Sequence, residues 1–211
     1  MKGALLLVAA SLLPAADTLQ IFDHRWSVPR SGDWEIQKSH GTSILHMKTG
    51  RGPEASGPRR PFQFALADTP PFSKVTLEAD IRPLKRSIII VYAYRDPGHF
   101  DYAHISTDIK APVHNGIFHV YGGERVRISP EGGPASFPEI NRWYHVKLVH
   151  DGQTGTVDVT VDGKPVPALH AIDLSLTGGK VGIGSFDETG DFKNLRITGV
   201  AASSPSKKLR R

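Results

Sequence analysis

The 211-residue chain contains no cysteine. That excludes disulfides, iron–sulfur clusters and thiolate metal sites, so the hydrophobic core alone must hold the fold. No apolar run reaches the roughly 20 residues that cross a bilayer as a helix. The nearest, residues 3–13, lies between Lys2 and the small residues around Pro14-Ala15-Ala16. A positive start, a short apolar stretch and small residues before Asp17 read as a secretory signal peptide over residues 1–16. The expected location is therefore secreted or periplasmic, with no N-terminal lipid attachment. The body also lacks a charge imbalance. The chain carries 26 Lys and Arg against 21 Asp and Glu, a net charge of +5. Lys2 belongs to the leader, and Lys207, Lys208, Arg210 and Arg211 belong to a Ser/Pro/basic tail at 201–211, expected to be disordered. With those five set aside, 21 basic residues face 21 acidic ones. A neutral body lacks the clustered basic face that nucleic-acid binding requires.

Helical periodicity is absent after residue 16, and alternation is abundant. Lys74-Val-Thr-Leu-Glu-Ala-Asp-Ile81 alternates apolar and polar residues, as do residues 143–149, 156–162, 180–186 and 192–197. Period two means one buried and one wet face, the pattern of antiparallel sheets. Asp151-Gly152 and Asp162-Gly163 are hairpin signals, and Gly122-Gly123, Gly132-Gly133 and Gly178-Gly179 mark further turns. With 21 Gly and 16 Pro among many short strands, one all-β domain is expected over residues 17–200. Residues 49–61 and 129–138 read as surface loops of the kind that frame binding faces.

The order of these signals resembles the concanavalin A-like lectin/glucanase superfamily. Trp143-Tyr-His-Val-Lys-Leu-Val-His-Asp-Gly152 followed by Val157-Asp-Val-Thr-Val-Asp-Gly-Lys-Pro-Val166 is similar to the strand–turn–strand hairpin of laminin-G-like domains. Gly179-Lys-Val-Gly-Ile-Gly184, Phe192-Lys-Asn-Leu-Arg-Ile197, Ile21-Phe22-Asp23, Trp26 and Asp33-Trp34-Glu35-Ile36 resemble the secreted 3-keto-disaccharide hydrolases, also called DUF1080. Two positions depart from that family: Asp23-His24 and Asp162-Gly163 replace its usual Asp-Gly and Asn-Gly pairs. The resemblance implies an antiparallel β-sandwich, a concanavalin A-like jelly roll of two curved sheets, with a sugar groove on the concave one. No cofactor is required by these signals, but sandwiches of this superfamily often tie the last strand to the N-terminal segment with a bound calcium. Asp187, Glu188 and Asp191, with Asp23, offer the hard oxygen ligands calcium needs; the alternative is an acidic turn capped by its own side chains.

Specific chemistry is sparser. Retaining glycoside hydrolysis needs two carboxylates about 5 Å apart. Glucanases of the superfamily carry Glu-x-Asp-x-(x)-Glu on one strand, whereas here Glu78-Ala-Asp80-Ile-Arg82 ends in arginine. Three middle strands carry rings with polar tips, which suit the mixed surface of a sugar. Alternation sets Tyr92 and Tyr94 together, Tyr102 and His104 together, and His119 and Tyr121 together. If the strands are neighbours, these six share one substrate-binding surface; otherwise they are half-buried sheet residues. His104 is the candidate general acid or base. No histidine spacing supports zinc. The expected partner is a carbohydrate, either bound by a noncatalytic module or processed by a hydrolase. The alternative is a laminin-G-like interaction domain for a protein or cell-surface polymer.

Overall fold

The computed structural model describes residues 17–53, 55–108 and 114–202. The leader expected at 1–16 lies outside the described residues, as does the tail beyond Ala202. The strands are β1 (Asp17–Ile21), β2 (His24–Val28), β3 (Trp34–Ser39), β4 (Thr42–Met47), β5 (Phe64–Ala67), β6 (Phe72–Pro83), β7 (Ser87–Asp96) and β8 (His99–Ser106). They continue with β9 (Gly116–Tyr121), β10 (Arg125–Arg127), β11 (Tyr144–Asp151), β12 (Thr156–Val161), β13 (Lys164–Ile172), β14 (Lys180–Gly184) and β15 (Gly190–Ala201). No helix among the described residues is long and apolar enough to cross a membrane.

Alternation builds two antiparallel sheets. One runs β1-β2-β5-β14-β7-β8-β9-β10 and the other β13-β12-β11-β6-β15-β4-β3. Along β6, Val75, Leu77, Ala79 and Ile81 are buried, while Glu78 pairs with Lys147 and Asp80 with His145 on the wet side. The inward sets of both sheets meet in one core that includes Trp26, Leu45, Leu77, Ile88, Ile90, Ile105, Tyr144, Val146, Leu148, Val181, Ile183 and Phe192. Burying large side chains in such a layer drives the association of the sheets, at about 25 cal/mol per Å². Polar tips within the core find partners: the Trp26 Nε1–H donates to the Ile21 carbonyl at 2.9 Å, and the Tyr144 hydroxyl donates to the Glu139 carbonyl at 3.0 Å. The result is the antiparallel β-sandwich expected from the sequence.

Two local features differ from expectation. Asp162-Gly163 closes the β12–β13 hairpin with both central residues at positive φ, 49° and 74°. Asp151-Gly152 does not make such a turn. Asp151 ends β11, and the chain reverses over residues 152–155, with Gly155 at φ 72°. Gly152 instead lets the chain pass the Thr177 and Ser73 carbonyls, where a Cβ would lie 1.8 Å from the Thr177 oxygen. The second difference is a bulge in β7. Its register against β8 shifts between Tyr92 and Asp96, and Ala93 is left-handed at φ 49°. Tyr92 and Ala93 therefore both enter the inter-sheet core, and every side chain beyond them changes face.

Candidate functional site

A sheet with one wet face would have polar residues outward along β7, β8 and β9. Here both faces are apolar. The outward set, Phe64, Ile89, Val91, Phe100, Tyr102, Phe118 and Val120, forms a second buried cluster, with Leu66 and Tyr94 packed against it. Its rings form a chain across the face: Phe64 to Tyr94 at 5.8 Å, Tyr94 to Phe100 at 5.8 Å, Phe100 to Tyr102 at 6.2 Å and Tyr102 stacked on Phe118 at 5.3 Å. The chain ends at His104, which stacks on Phe186 at 6.0 Å. In the middle of the sheet, β14 places Gly182 and Gly184 opposite Leu66 and Phe64. A Cβ on Gly184 would sit 2.7 Å from the Phe64 Cβ, so bare backbone there lets the ring lie down on the sheet.

Two recesses open on this face. The larger, about 350 Å³, is a groove lined mainly by apolar atoms, with Pro61, Phe62, Phe64, Leu66, Tyr94 and Phe100 among its walls and Arg60 at its edge. Phe62 is 38% exposed and offers an accessible ring. The smaller, about 30 Å³, is bordered by Arg59, Ser87, His104, His114, Arg125, Phe186 and the acidic pair Asp187 and Glu188, with Arg86 beside them. Arg125 lies over the rings of Phe186 at 4.5 Å and Phe118 at 4.8 Å and donates to the Tyr102 hydroxyl at 3.2 Å. Arg86 donates to Glu188 at 2.8 Å. The loop before β5 supplies Arg59, Arg60 and Phe62, and buried Gln63 ties it down. Gln63 accepts from the Arg51 backbone N–H at 2.7 Å and donates to the Thr49 carbonyl at 2.5 Å and to Asp33 at 3.2 Å. Asp33 also takes a two-pronged Arg51 contact at 2.6 and 2.8 Å, which holds its carboxyl below the usual carboxylate range.

The six ring residues expected on one surface are split. Tyr94, Tyr102 and His104 lie on the outer face; Tyr92, His119 and Tyr121 do not. Tyr92 points inward with Ile88 and Ile90, and the bulge at Ala93 is what carries Tyr94 to the outer face. In β9, His119 pairs with Asp101 and shares the inward side with Ile117, while Phe118 and Val120 occupy the outward side. Tyr121 is 62% exposed beside His99 and His119. Tyr102 is 0% and His104 2% exposed, roofed by Arg125 and Phe186, so neither presents a ring to solvent. Burial pushes the Tyr102 hydroxyl up to about 12, and burial together with Arg125 drives His104 well below its ordinary value, leaving a neutral imidazole. Its Nε2 meets the Ser87 hydroxyl at 2.9 Å, and its Nδ1 has no hydrogen-bond partner among the described residues. As a general acid or base, His104 lacks a carboxylate partner among those residues. Phe62, Phe64, Phe100 and Arg125 carry no motif that singles them out in the sequence; the alternate glycines of β14 and the alternation of 64–67 are the available signals.

The acidic residues expected to hold calcium do not converge. Asp191, 1% exposed, accepts from His46 at 2.6 Å and from Arg82 at 2.7 Å. Glu188 is taken by Arg86 and by the Ser87 backbone N–H at 2.5 Å. Asp187 is exposed, and Asp23 occupies the β1–β2 turn in the other sheet from Asp191. Asp191 and Glu188 thus already have protein partners. Among the described residues, the ligand-type group within 4.8 Å is instead Asp101, His119 and Asp173. There His119 Nδ1 lies 2.6 Å from Asp101 and 3.2 Å from Asp173. The hydrogen bond to Asp101 raises the imidazole pKa, while burial raises that of Asp101 itself.

No protein-family model matches the sequence, and no curated protein matches it. Solved structures do. The carbohydrate-binding module CBM66 from Bacillus subtilis superposes with a TM-score of 0.57 at 18% identity, over 82% of this chain and 95% of that one. A candidate glycosyl hydrolase from Parabacteroides distasonis gives 0.55 at 13% identity, over 81% and 92%. The GH43 protein BlXynB from Bacillus licheniformis gives 0.55 at 12% identity, over 87% of this chain and 38% of that one. At such identities the likeness is one of fold, and the chain shares the β-sandwich of these proteins.

Proposed function

We propose that this protein binds a glycan in the groove between Phe62, Tyr94 and Phe100 on the outer face of the eight-stranded sheet. The observation that carries the reading is a groove of about 350 Å³ lined mainly by apolar atoms, with the rings of Phe62, Phe64, Tyr94 and Phe100 among its walls and Ser27, Arg60 and Tyr94 as its polar residues. Sugar rings present C–H faces that stack on aromatics and hydroxyls that need donors and acceptors, and this lining supplies both. The sandwich fold shared with a carbohydrate-binding module supports the same reading. Binding is favoured over hydrolysis by the carboxylates at the two recesses. Among the described residues these are Asp187 and Glu188, and Glu188 is already paired with Arg86. Glycoside cleavage requires two working carboxylates across the scissile bond. The signal-like residues 1–16 support a site of action outside the cytoplasm.

The test is a glycan array followed by titration calorimetry on the purified mature chain. Phe62→Ala and Tyr94→Ala should each weaken binding roughly tenfold, the loss of about 1–2 kcal/mol of ring contact. Binding that is untouched by both variants would remove the groove from consideration. Release of sugar product during the titration would replace the binding assignment with a catalytic one.

A further inference from the structure

The small recess beside the groove points to the charge of the ligand. We infer that it receives the carboxylate of an acidic, uronic-acid-type sugar, with Arg59 and Arg125 as the binding cations. The inference rests on the glycan-binding reading and names the class of glycan.

Two observations carry it. The first is unspent positive charge in a body that is otherwise neutral. Arg125 is fixed between the Phe118 and Phe186 rings and gives one N–H to Tyr102, yet among the described residues no carboxylate lies in ion-pair range of it. Arg59, 6.0 Å above the Phe186 ring, likewise has no carboxylate partner among the described residues. Of the described residues lining the recess, Arg86 pairs with Glu188 and His114 with Asp108, which leaves Arg59 and Arg125 against Asp187. Asp187 reduces the attraction without pairing to either arginine, and the balance stays positive. A guanidinium has five donors in a planar fork that matches a carboxylate, and stacking on rings fixes the plane of that fork in advance.

The second observation is the orphan nitrogen of His104, which forms part of the recess wall and is 2% exposed. Nε2 meets the Ser87 hydroxyl. In the tautomer in which Ser87 donates to Nε2, Nδ1 carries the ring proton and is a buried donor with no acceptor among the described residues, and this is the tautomer an incoming carboxylate would select. Leaving such a group unsatisfied is costly, and an incoming oxygen would relieve it. The size agrees: about 30 Å³ admits a carboxylate-sized group but not a sugar ring. Consecutive residues Arg59 and Arg60 line the two recesses, and on β8 Phe100 and His104 are two ring steps apart, 6.2 Å to Tyr102 and 6.1 Å beyond it, so the uronic residue at the small recess would belong to an oligosaccharide whose neighbouring unit lies in the groove.

The experiment titrates the mature chain with oligogalacturonate, oligoglucuronate and oligomannuronate, with the methyl ester of each as an uncharged copy, and with a sulfated oligosaccharide. The expected result is binding of at least one uronate, weakened roughly tenfold or more by esterification and by Arg59→Gln, and weakened further by rising salt. Arg125→Gln should do the same, and Arg125→Lys should recover only part, since a point charge lacks the fork. Arg59 is exposed, so its variant keeps a folded protein even if Arg125→Gln does not. Neutral and esterified sugars binding as well as the acids, with Arg59→Gln silent, would overturn this inference and leave the groove reading intact. Binding of the sulfated probe alone would overturn the carboxylate assignment. Absence of binding to every acidic and neutral glycan would overturn both readings.

Discussion

Gln63→Ala tests whether the loop that supplies Arg59, Arg60 and Phe62 is held from inside. Gln63 is 1% exposed and makes three hydrogen bonds, to Arg51 N–H, the Thr49 carbonyl and Asp33. Each is worth about 1 kcal/mol net, and truncation also strands the Arg51 N–H and the Thr49 carbonyl near a small cavity. Water reaches part of this region, because Arg51 is half-buried, so a total near 3 kcal/mol is expected. For a domain of this size that lowers Tm by roughly 6–12 °C. Urea unfolding should show the loss without a change in slope. Hydrogen exchange should accelerate across 49–62 more than in β7 or β8, and glycan affinity should fall although Gln63 touches no ligand. Gln63→Glu sharpens the test. It keeps the acceptor for Arg51 but sets a carboxylate against Asp33, so it should be worse than wild type at pH 7. It should recover toward pH 4, as the introduced carboxyl is protonated and donates again. A Tm loss below about 2 °C, or exchange unchanged in the loop, would refute the anchoring argument.

Asp191→Ala should cost about 2–4 kcal/mol in urea unfolding, because it strands Arg82 and His46, while millimolar chelator should leave the wild-type Tm unmoved; a chelator-induced drop would return a metal to that turn. Ala93→Gly should lie within about 1 kcal/mol of wild type or above it, since glycine accepts φ 49° without steric cost, whereas the same change in an extended strand would be destabilising. His119 has its pKa raised by Asp101, so its charged form stabilises the fold below its unfolded value of 6.5, and that contribution is lost as pH rises through the higher folded value. The stability gap between wild type and His119→Gln should therefore be widest near pH 6 and narrow toward pH 9; a gap constant over that range would contradict the assignment.

The sandwich is legible in the sequence because most strands have one apolar and one polar face. Val75, Leu77, Ala79 and Ile81 declare the inward side of β6 unaided, and Val146 and Leu148 do so for β11. The site is only half legible, for three physical reasons. In β7, β8 and β9 both faces are apolar, so alternation defines two sets of residues without saying which points inward. Parity alone joins His119 and Tyr121 to Tyr102, and the pairing of His119 with Asp101 puts them on the other side. The bulge at Ala93 has no sequence mark, since neither Gly nor Asn stands there, yet it separates Tyr92 from Tyr94. The acidic run Asp187-Glu188 and Asp191 looks like a cation site because the hydrogen-bond partners of Glu188 and Asp191, namely Arg86, Arg82 and His46, lie about 100 or more residues away in sequence.

The two-faced character of β7–β9 that hides the face assignment also explains why a site exists there. An outward apolar cluster must be covered by something other than the opposite sheet, because exposed apolar surface is unfavourable. At the His104 end the chain covers it itself: Phe186 stacks on His104, and Arg125 closes over Phe118 and Tyr102. At the other end the cover is incomplete, and Phe62 and Tyr94 stay accessible above Phe64 and Phe100. The rings under the roof, Tyr102 and His104, thus set the shape and polarity of the site from beneath, while the unroofed rings meet the ligand. Phe62→Ala should therefore change affinity with little change in stability, and Tyr94→Ala should change affinity at a stability cost of about 1–2 kcal/mol for its contacts with Phe64 and Phe100. Tyr102→Ala should instead cost about 3–5 kcal/mol of stability, as expected for removing a fully buried ring. The opposite ranking, a stable Tyr102→Ala with abolished binding, would mean that Arg125 and Phe186 swing aside and that the ligand sits on the covered rings instead.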